Sequence, residues 1–435
     1  MPKRTLTLGT RPPYTDFTMS KDSLSIPLPA LPLRQKVPLS QPLRHALFRR
    51  LWTANLVSNL GTWIQTFASA WLIASLAQSA STSAFVQTAT YVPIFLFALF
   101  AGVVADAVDR PKFLFYCNLF MAVCACVLAG LVITGHASTL SVLALTFCLG
   151  TGSAFIWPAW QATSSGLVEA DEVEAAATLN NLSYNVAAIV GPALGGVLFN
   201  WIGPGALFLA NAISFVGLLA VYWAWWQERL PGTVTSTPFL DSLRAGLSSA
   251  LGCSRYRHIL LNVCTVFFAT ISFAGLLPVF VRDVLRMNSS VFGTLMGSLG
   301  AGAVVAAFIL PGLRTRIDKT RLLACALLVY GAMLITLSFA RSLVVLVPVI
   351  VCGGMAWSAT VSTLNAAAQL SFPVNIRART LSIYLFVMAF GYTVGSLVWG
   401  RVADHFGVQA AFATAGACVI VNAIALATRK QGKPL

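Results

Sequence analysis

The chain alternates between long apolar stretches and short segments rich in charged residues, proline or glycine. Its first two stretches, residues 51–105 and 113–167, contain no Asp, Glu, Lys or Arg. Each is far longer than the ~20 residues that an α-helix needs to cross a bilayer, so each holds more than one span. The polar breaks therefore predict twelve membrane-spanning helices, at residues 48–76, 83–105, 112–134, 138–164, 175–200, 204–226, 257–281, 289–311, 321–340, 342–368, 379–401 and 407–428.

The composition excludes most classes of soluble protein. Of the 435 residues, 57% are hydrophobic and 9% are charged, whereas a soluble chain carries about 25% charged residues. A soluble enzyme, a nucleic-acid-binding protein and a secreted disulfide scaffold are therefore excluded for the whole chain. No polar segment is long enough for a catalytic domain, and the nine cysteines show no metal-binding spacing. We expect no enzyme activity, no cofactor and no metal.

The basic residues are concentrated on one side of the predicted membrane. The net charge is +15, and 24 of the 28 Lys and Arg residues fall in the two tails and in alternate loops. Lys and Arg accumulate on the cytoplasmic side of membrane proteins. The pattern predicts a multi-pass protein of the bacterial inner membrane with both termini in the cytoplasm, and no nucleic-acid partner. The four basic residues on the other side are Arg282, Arg286, Arg341 and Arg401.

The two halves of the chain repeat each other weakly. At an offset of 200 residues, Trp157 aligns with Trp357 and Gly191 aligns with Gly391. Parallel repeats of this kind build one class of transporter fold. We predict an all-α membrane protein with twelve transmembrane helices in two six-helix bundles. The predicted organisation is a disordered, basic, Pro-rich tail at 1–43, an N-terminal bundle at 44–226, a cytoplasmic linker with an amphipathic helix at 227–256, a C-terminal bundle at 257–428 and a cytoplasmic tail at 429–435.

A group of small and charged residues marks the loop between predicted helices 2 and 3. Gly102, Asp106, Asp109, Arg110 and Lys112 lie at the predicted cytoplasmic end. A small residue lets another helix approach, and an acid followed by bases in a tight turn can form an ion-pair latch that opens and closes. These residues predict a cytoplasmic gate, while an ordinary charged turn that fixes the topology is the alternative.

Predicted helix 5 contains a cluster of glycines around a proline. Gly191, Pro192, Gly195 and Gly196 follow one another within six positions. Proline removes a backbone hydrogen bond and kinks a helix, and glycines permit close packing. A bending element and a static packing interface both fit this cluster.

These two motifs carry a resemblance to the major facilitator superfamily. The first resembles the loop 2–3 signature of that superfamily, and the second resembles the helix 5 signature of its antiporters. Segments 58–65, 158–162 and 362–369 are similar to the branch of enterobactin-exporter-like transmembrane secretion effectors. Three positions depart from the general signatures: Ala107 stands where a basic residue is usual, Asp109 stands where a glycine is usual, and Ala187 replaces the glycine that often lies four residues before the helix 5 motif. The resemblance implies export of a small molecule, with proton antiport, and a cavity lined by helices 1, 4, 7 and 10.

Three of the predicted helices carry polar or aromatic side chains at intervals of three and four residues. This spacing places each set on one helical face, and polar groups avoid lipid. The three faces predict the wall of a substrate cavity, while hydrogen bonding within a closed bundle is the alternative. The residues are Asn55, Asn59, Thr62 and Thr66 in helix 1, Ser153, Trp157, Trp160 and Ser164 in helix 4, and Ser358, Ser362, Asn365 and Gln369 in helix 10. We also expect Trp357 to line the cavity.

No acidic residue lies near the middle of any predicted span, so the residue that would carry a coupled proton is not evident. Asp106 and Asp283, at opposite ends of the bundle, are the two candidates. We predict a monomeric secondary transporter that exports small amphipathic organic molecules across the lipid bilayer by alternating access. An uncoupled facilitator, an uptake carrier and a non-transporting membrane sensor or scaffold are the alternatives.

Overall fold

The computed structural model describes residues 38–76, 79–228, 252–372 and 374–428. Most of the predicted N-terminal tail and the predicted amphipathic helix of the linker lie outside these residues. The described chain is helical and contains no β-strand. Its uninterrupted helices are α1 (Ala46–Leu76), α2 (Ala80–Ala107), α3 (Arg110–Ile133), α4 (Thr139–Gly166), α7 (Ser254–Val279), α8 (Ser289–Arg314), α9 (Lys319–Phe339), α10 (Leu343–Leu370), α11 (Val374–Phe406) and α12 (Val408–Ala427).

The remaining element, Val173–Glu228, is two helices that meet at Gly203. This glycine has φ 76° and ψ 167°, a conformation that L side chains rarely adopt, and Pro204 follows it. Proline fits the first turn of a helix because its missing N–H has no partner there. We name the two helices α5 (173–202) and α6 (204–228), which completes the twelve predicted helices.

Length and composition agree with a membrane location. Ten of the described elements are long and apolar enough to cross a bilayer, and the element Val173–Glu228 counts once among them although it is two helices. The helix outside this set is α1, which carries Arg49 and Arg50 in its first turns. Helix α1 nevertheless packs along α5 over most of its length, from Trp52 beside Leu179 to Phe67 beside Gly195.

The helices form two groups of six that contact each other through defined pairs. Within the first group α1 packs on α5, α2 on α4 and α3 on α6, and within the second group α7 packs on α11, α8 on α10 and α9 on α12. Helices α2 and α11, and helices α5 and α8, join the two groups. This arrangement confirms the predicted fold of two six-helix bundles, while the exact domain boundaries stay a prediction.

The two ends of the molecule differ in charge, and we name them by that difference. The basic end carries the turns before α3 and after α8, with Arg110 and Arg314. The opposite end carries the start of α2, the end of α7 and the end of α11, with Ser81, Arg282 and Asp404.

Candidate functional site

Helices α5 and α8 touch backbone to backbone near the opposite end. A Cβ atom added to Gly196 would lie 2.9 Å from the Cα of Gly293, and one added to Gly293 would lie 2.7 Å from the carbonyl oxygen of Pro192. Beside this crossing, the hydroxyl of Ser289 donates to Oδ1 of Asn200 at 2.9 Å. Two residues of the predicted helix 5 motif therefore pack across the boundary between the bundles.

The other two glycines of the motif pack inside the first bundle. A Cβ atom on Gly191 would lie 2.5 Å from Cβ of Trp63, and one on Gly195 would lie 2.8 Å from the ring of Phe67. Pro192 lies inside α5, and the backbone leaves helical geometry at Gly203 instead. The cluster thus brings α5 close to α1 on one side and to α8 on the other, and its role as a bending element stays a prediction.

Helices α2 and α11 form a second contact between the bundles. The hydroxyls of Thr88 and Ser396 lie 2.7 Å apart, and Ser396 is 1% exposed. Deeper along the same pair, the rings of Tyr91 and Tyr392 have centroids 4.2 Å apart. This contact runs from the opposite end to about the middle of both helices.

A third contact fills the space between these two helix pairs. Phe292 of α8 stacks on Phe67 of α1 with ring centroids 4.7 Å apart, and on Trp71 with centroids 5.6 Å apart. All three rings are buried. Stacked aromatic rings in an apolar setting contribute more to stability than their buried area alone, so this contact also holds the bundles together. We name the three contacts between the bundles the seal of the opposite end.

The first bundle exposes a group of three aromatic rings from three helices. Trp63 of α1 and Trp157 of α4 each meet the ring of Tyr184 on α5 edge to face, with centroids 5.6 and 5.8 Å apart. Trp157 is 47% exposed and Tyr184 is 42% exposed. Because the rings converge from three helices, they lie where these helices face one another rather than on a single outward face. We name Trp63, Trp157 and Tyr184 the aromatic group.

Amide side chains of α1 and α5 lie near Tyr184 of the aromatic group. The Nδ2 of Asn59 donates to the hydroxyl of Ser183 at 3.2 Å, which ties α1 to α5 beside Tyr184. Asn181 and Asn185 flank Tyr184 on α5 and are exposed. The predicted cavity faces did not include α5, although the run Asn180 to Asn185 holds three asparagines, a serine and a tyrosine. That density of polar groups inside a span was the available signal.

The structure separates the two tryptophans predicted on one face of α4. Trp160 is 8% exposed and packs in the core of the first bundle with Leu51, Phe215 and Tyr222, so it is not brought to the aromatic group. The three-residue spacing gives a difference of about 60° around the helix, which is enough to turn one ring inward and leave the other exposed.

Four residues of the predicted cavity faces of helices 1 and 4 are partly exposed, namely Asn55, Thr62, Thr66 and Ser153. Thr66 donates to the carbonyl oxygen of Thr62 at 2.8 Å, and Ser153 donates to that of Leu149 at 3.0 Å. Such bonds to the preceding turn satisfy a hydroxyl within its own helix. Asn55 lies one turn from Asn59 and is also partly exposed.

The equivalent region of the second bundle is more tightly packed. The Trp357 ring meets Phe267 and Tyr330, with centroids 5.3 and 5.8 Å apart. Tyr384, which the repeat pairs with Tyr184, is 1% exposed. The repeated positions thus have different surroundings, open in the first bundle and packed in the second.

The predicted polar residues of α10 bond along their own helix and to one arginine. Gln369 donates to Oδ1 of Asn365 at 2.5 Å, and the hydroxyl of Ser362 donates to the carbonyl oxygen of Ser358 at 2.6 Å. Arg314 at the basic end of α8 donates to the Ser362 hydroxyl at 2.7 Å. A cation therefore reaches this face of α10 from the neighbouring helix.

The gate motif spans the turn between α2 and α3. Gly102 and Asp106 lie in the last turns of α2, and their side chains are outside the described part of the chain. Asp109 precedes α3 and makes no capping hydrogen bond. The Nζ of Lys112 lies 5.0 Å from the ring centroid of Trp226 on α6, a cation–π contact within the first bundle. Arg110 lines a small pocket against α4 and α6.

A buried carboxylate at the basic end had no counterpart in the sequence predictions. Glu172, just before α5, is 3% exposed, and its Oε2 lies 2.6 Å from Nε2 of His45 at the start of α1. Buried carboxylates need partners, and this pair fastens the first turns of α1 and α5 together. The connection between α4 and α5 thus contains one acidic residue with a packing role.

The comparison with protein families decides the assignment. Residues 38–432 match the model of the transmembrane secretion effector family. The chain belongs to this family of major facilitator transporters. The match covers every described helix from α1 to α12, and it confirms the family that the two motifs indicated.

Two curated relatives of this transporter match over most of their length. A staphyloferrin A transporter of Staphylococcus aureus (strain NCTC 8325 / PS 47) is 24% identical over 372 residues, which cover 83% of this chain and 90% of the relative. The multidrug efflux pump Tap of Mycobacterium tuberculosis (strain ATCC 25618 / H37Rv) is 22% identical over 375 residues, which cover 82% and 87%.

Solved structures share the fold of this transporter. The nucleoside transporter NupG superimposes with a TM-score of 0.68 at 12% identity, covering 89% of this chain and 100% of that one. A bacterial homologue of the human lysosomal transporter Spinster, in an inward-facing and unoccupied conformation, gives 0.66 at 16% identity, covering 89% and 96%. At these identities the likeness shows the fold alone.

Proposed function

We propose that this transporter exports small amphipathic organic molecules by alternating access. In this proposal the basic end faces the cytoplasm of a bacterial inner membrane, and the opposite end faces outward. The substrate enters from the basic end and binds against the aromatic group and the amides beside it. The outer seal then opens while the basic end closes.

The observation that carries this proposal is the contrast between the closed opposite end and the exposed aromatic group. Gly196, Ser396 and Phe292 belong to close contacts between the bundles at the opposite end. Trp157 and Tyr184 keep nearly half of their surfaces exposed. A carrier needs a site that is reachable from one side while the other side is closed, and the present arrangement supports a state open toward the basic end.

The aromatic group and the amides near it favour a substrate that binds by stacking and hydrogen bonding rather than by ion pairing. Trp157 and Tyr184 offer aromatic faces, and Asn59, Asn181 and Asn185 offer amide donors and acceptors. Sites with apolar rings and a few polar groups bind organic molecules of drug size. The names of the two curated relatives, a staphyloferrin A transporter and a multidrug efflux pump, support an organic substrate, and the second name favours export.

Energy coupling is a further part of the proposal. We propose exchange of the substrate for protons, because export of a molecule against its gradient needs a driving ion. The sequence contains no acid near the middle of a span. An uncoupled facilitator is the second candidate function, and the absence of an acidic residue near the middle of a span favours it.

Transport by inverted membrane vesicles tests the function and its site. With an imposed proton gradient, the parent protein should accumulate a fluorescent amphipathic aromatic compound such as ethidium. Trp157→Ala should reduce the initial rate roughly tenfold, because buried aromatic anchors dominate binding energy. Trp201→Ala is the matched control, since Trp201 lies at the opposite end of α5 and is 79% exposed.

The outcomes separate the candidates. Accumulation without any gradient dependence would favour the facilitator. Equal losses in both tryptophan variants, or no loss in either, would contradict the aromatic group as the binding site. No movement of any compound in a panel that includes staphyloferrin A would contradict export by this chain.

The orientation has its own test. Reporter fusions after Gly232 and after Lys430 should both give cytoplasmic signals, and a fusion after Arg286 should give an external signal. The reason is that 24 of the 28 Lys and Arg residues lie on the proposed cytoplasmic side. Opposite signals at Gly232 and Lys430 would mean that an odd number of spans lies between them. That result would contradict the twelve-helix topology, in which both positions lie in the cytoplasm.

A further inference from the structure

One carboxylate crosses the bundle boundary at the opposite end. Asp404, in the last turn of α11, accepts the backbone N–H of Ser81 through Oδ1 at 3.1 Å. Its Oδ2 accepts the hydroxyl of the same serine. Ser81 lies in the first turn of α2, so a residue of the second bundle caps a helix of the first.

The cap depends on the closed arrangement of the bundles. The first N–H groups of a helix have no partner within it, and the positive end of the helix dipole attracts an anion. Ser79 supplies one cap from within α2 by accepting the N–H of Thr82 at 3.2 Å. Asp404 supplies the other, and Gly400 allows the close approach, because a Cβ there would lie 2.8 Å from the Cα of Ser81.

The surroundings of Asp404 are charged and reachable from solvent. An open pocket of about 480 Å³ at this end is lined by Asp404, Arg282 and Asp283, together with residues of α2 and α12. His405 and Arg401 are the titratable or charged neighbours on α11 itself, and Nδ1 of His405 lies 2.9 Å from the carbonyl oxygen of Arg401. Asp404 is exposed, so protons reach it from the opposite side.

Asp283, one of the two predicted proton carriers, forms an ion pair within the second bundle. Its Oδ2 accepts from Nη2 of Arg282 at 2.7 Å, and both residues belong to the π-turn after α7. This ion pair lies within one bundle, so it can persist when the bundles separate. The bond from Asp404 to Ser81 cannot persist, because its two ends belong to different bundles.

We propose that Asp404 latches the opposite end closed and that its protonation releases α2 from α11. A protonated carboxyl loses the charge that favours the helix N-terminus and one of its acceptor positions. Proton binding must therefore favour the state in which the cap is broken, by the linkage between a proton and two conformations. Low pH on the opposite side favours opening there. The inference rests on the proposed alternating access, and it adds a proton site to it.

Distance measurements between the two bundles test the latch without any substrate. Spin labels at His136→Cys and Arg341→Cys, both exposed at the opposite end and in different bundles, report its opening in a variant that lacks the nine native cysteines. At about pH 7 the parent should show the short distance of the closed end, and a longer distance should appear only at about pH 4 and below, the range in which aspartate carboxylates ordinarily become protonated.

Asp404→Asn should show the longer distance already at high pH and respond little to acid. We expect the ratio of open to closed molecules to rise roughly tenfold, the usual scale for losing hydrogen bonds to a charged group. Ser81→Ala, which leaves the carboxylate intact, should give a smaller rise and guards against a folding defect in the first variant. Asp404→Glu should recover part of the pH response.

Two substitutions of titratable residues near Asp404 serve as controls for the Asp404→Asn variant. Asp283→Asn and His405→Gln should keep the closed distance at high pH and the acid response of the parent. An unchanged distance distribution in Asp404→Asn, or an acid response that persists in it, would overturn the proposal. A parent that opens neither with acid nor with substrate would instead count against alternating access itself, while an opening driven only by substrate would overturn the latch alone.

Discussion

A disulfide between Thr88→Cys and Ser396→Cys is expected to stop transport almost completely. The two hydroxyl oxygens lie 2.7 Å apart across the boundary between α2 and α11, and a disulfide joins sulfur atoms about 2 Å apart. Because the bond would join the bundles on the side that must open outward, the oxidised protein should be held closed at the opposite end. Vesicle transport should fall to background and return when a reductant is added.

The single-cysteine variants are the controls for this result. Each removes one hydroxyl of the pair without joining the helices, so each should retain most of its transport under oxidising conditions. Gel mobility after protease cleavage in the 229–251 linker would show whether the bond has formed. A fully cross-linked protein that still transports would mean that α2 and α11 do not separate during the cycle.

Replacing Gly293 by leucine is expected to have the second large effect. A Cβ atom at this position would lie 2.7 Å from the Pro192 carbonyl oxygen and 2.9 Å from the Cα of Gly196. Backbone atoms cannot give way as flexible side chains do, so α5 and α8 must move apart, and the closed opposite end is destabilised. Transport should fall roughly tenfold or more, since a closed state that costs a few kcal/mol more is rarely populated.

Gly312 provides the matched control on the same helix. A Cβ atom added there would meet nothing within 4 Å, so Gly312→Leu changes the residue type of α8 without a clash. It should transport like the parent. The spin-label pair described above should report a longer distance for Gly293→Leu and the parent distance for Gly312→Leu. Normal transport by Gly293→Leu would show that the contact between α5 and α8 is dispensable.

The helices could be predicted because their signal is local. Runs of apolar residues and the breaks between them lie within a few positions of each other, and the break predicted between residues 200 and 204 is realised at Gly203. The family was predictable for the same reason, because the Asp109 and Gly191 motifs are short. Both predictions needed no knowledge of which helices pack together.

The contacts of the site could not be predicted to the same extent. Trp157 and Trp160 share a polar spacing pattern, yet only the packing of α1, α3 and α6 decides which ring is buried. Asp404 and Ser81 are 323 positions apart, so no local pattern joins them. The sequence identifies Asn181 and Asn185 as polar residues within a span, but their exposure depends on how α5 crosses its neighbours.

The single-residue junction at Gly203 has a mechanical consequence. With so little chain between them, α5 and α6 form a stiff hairpin, and α6 is packed on α3 from Gly205 beside Ile133 to Trp226 beside Lys112. We therefore expect that a displacement of α5 at its crossing with α8 carries α6 and α3 with it. The turn that contains Lys112 lies at the far end of these packed helices, so we expect the seal at one end and the gate motif at the other to move together.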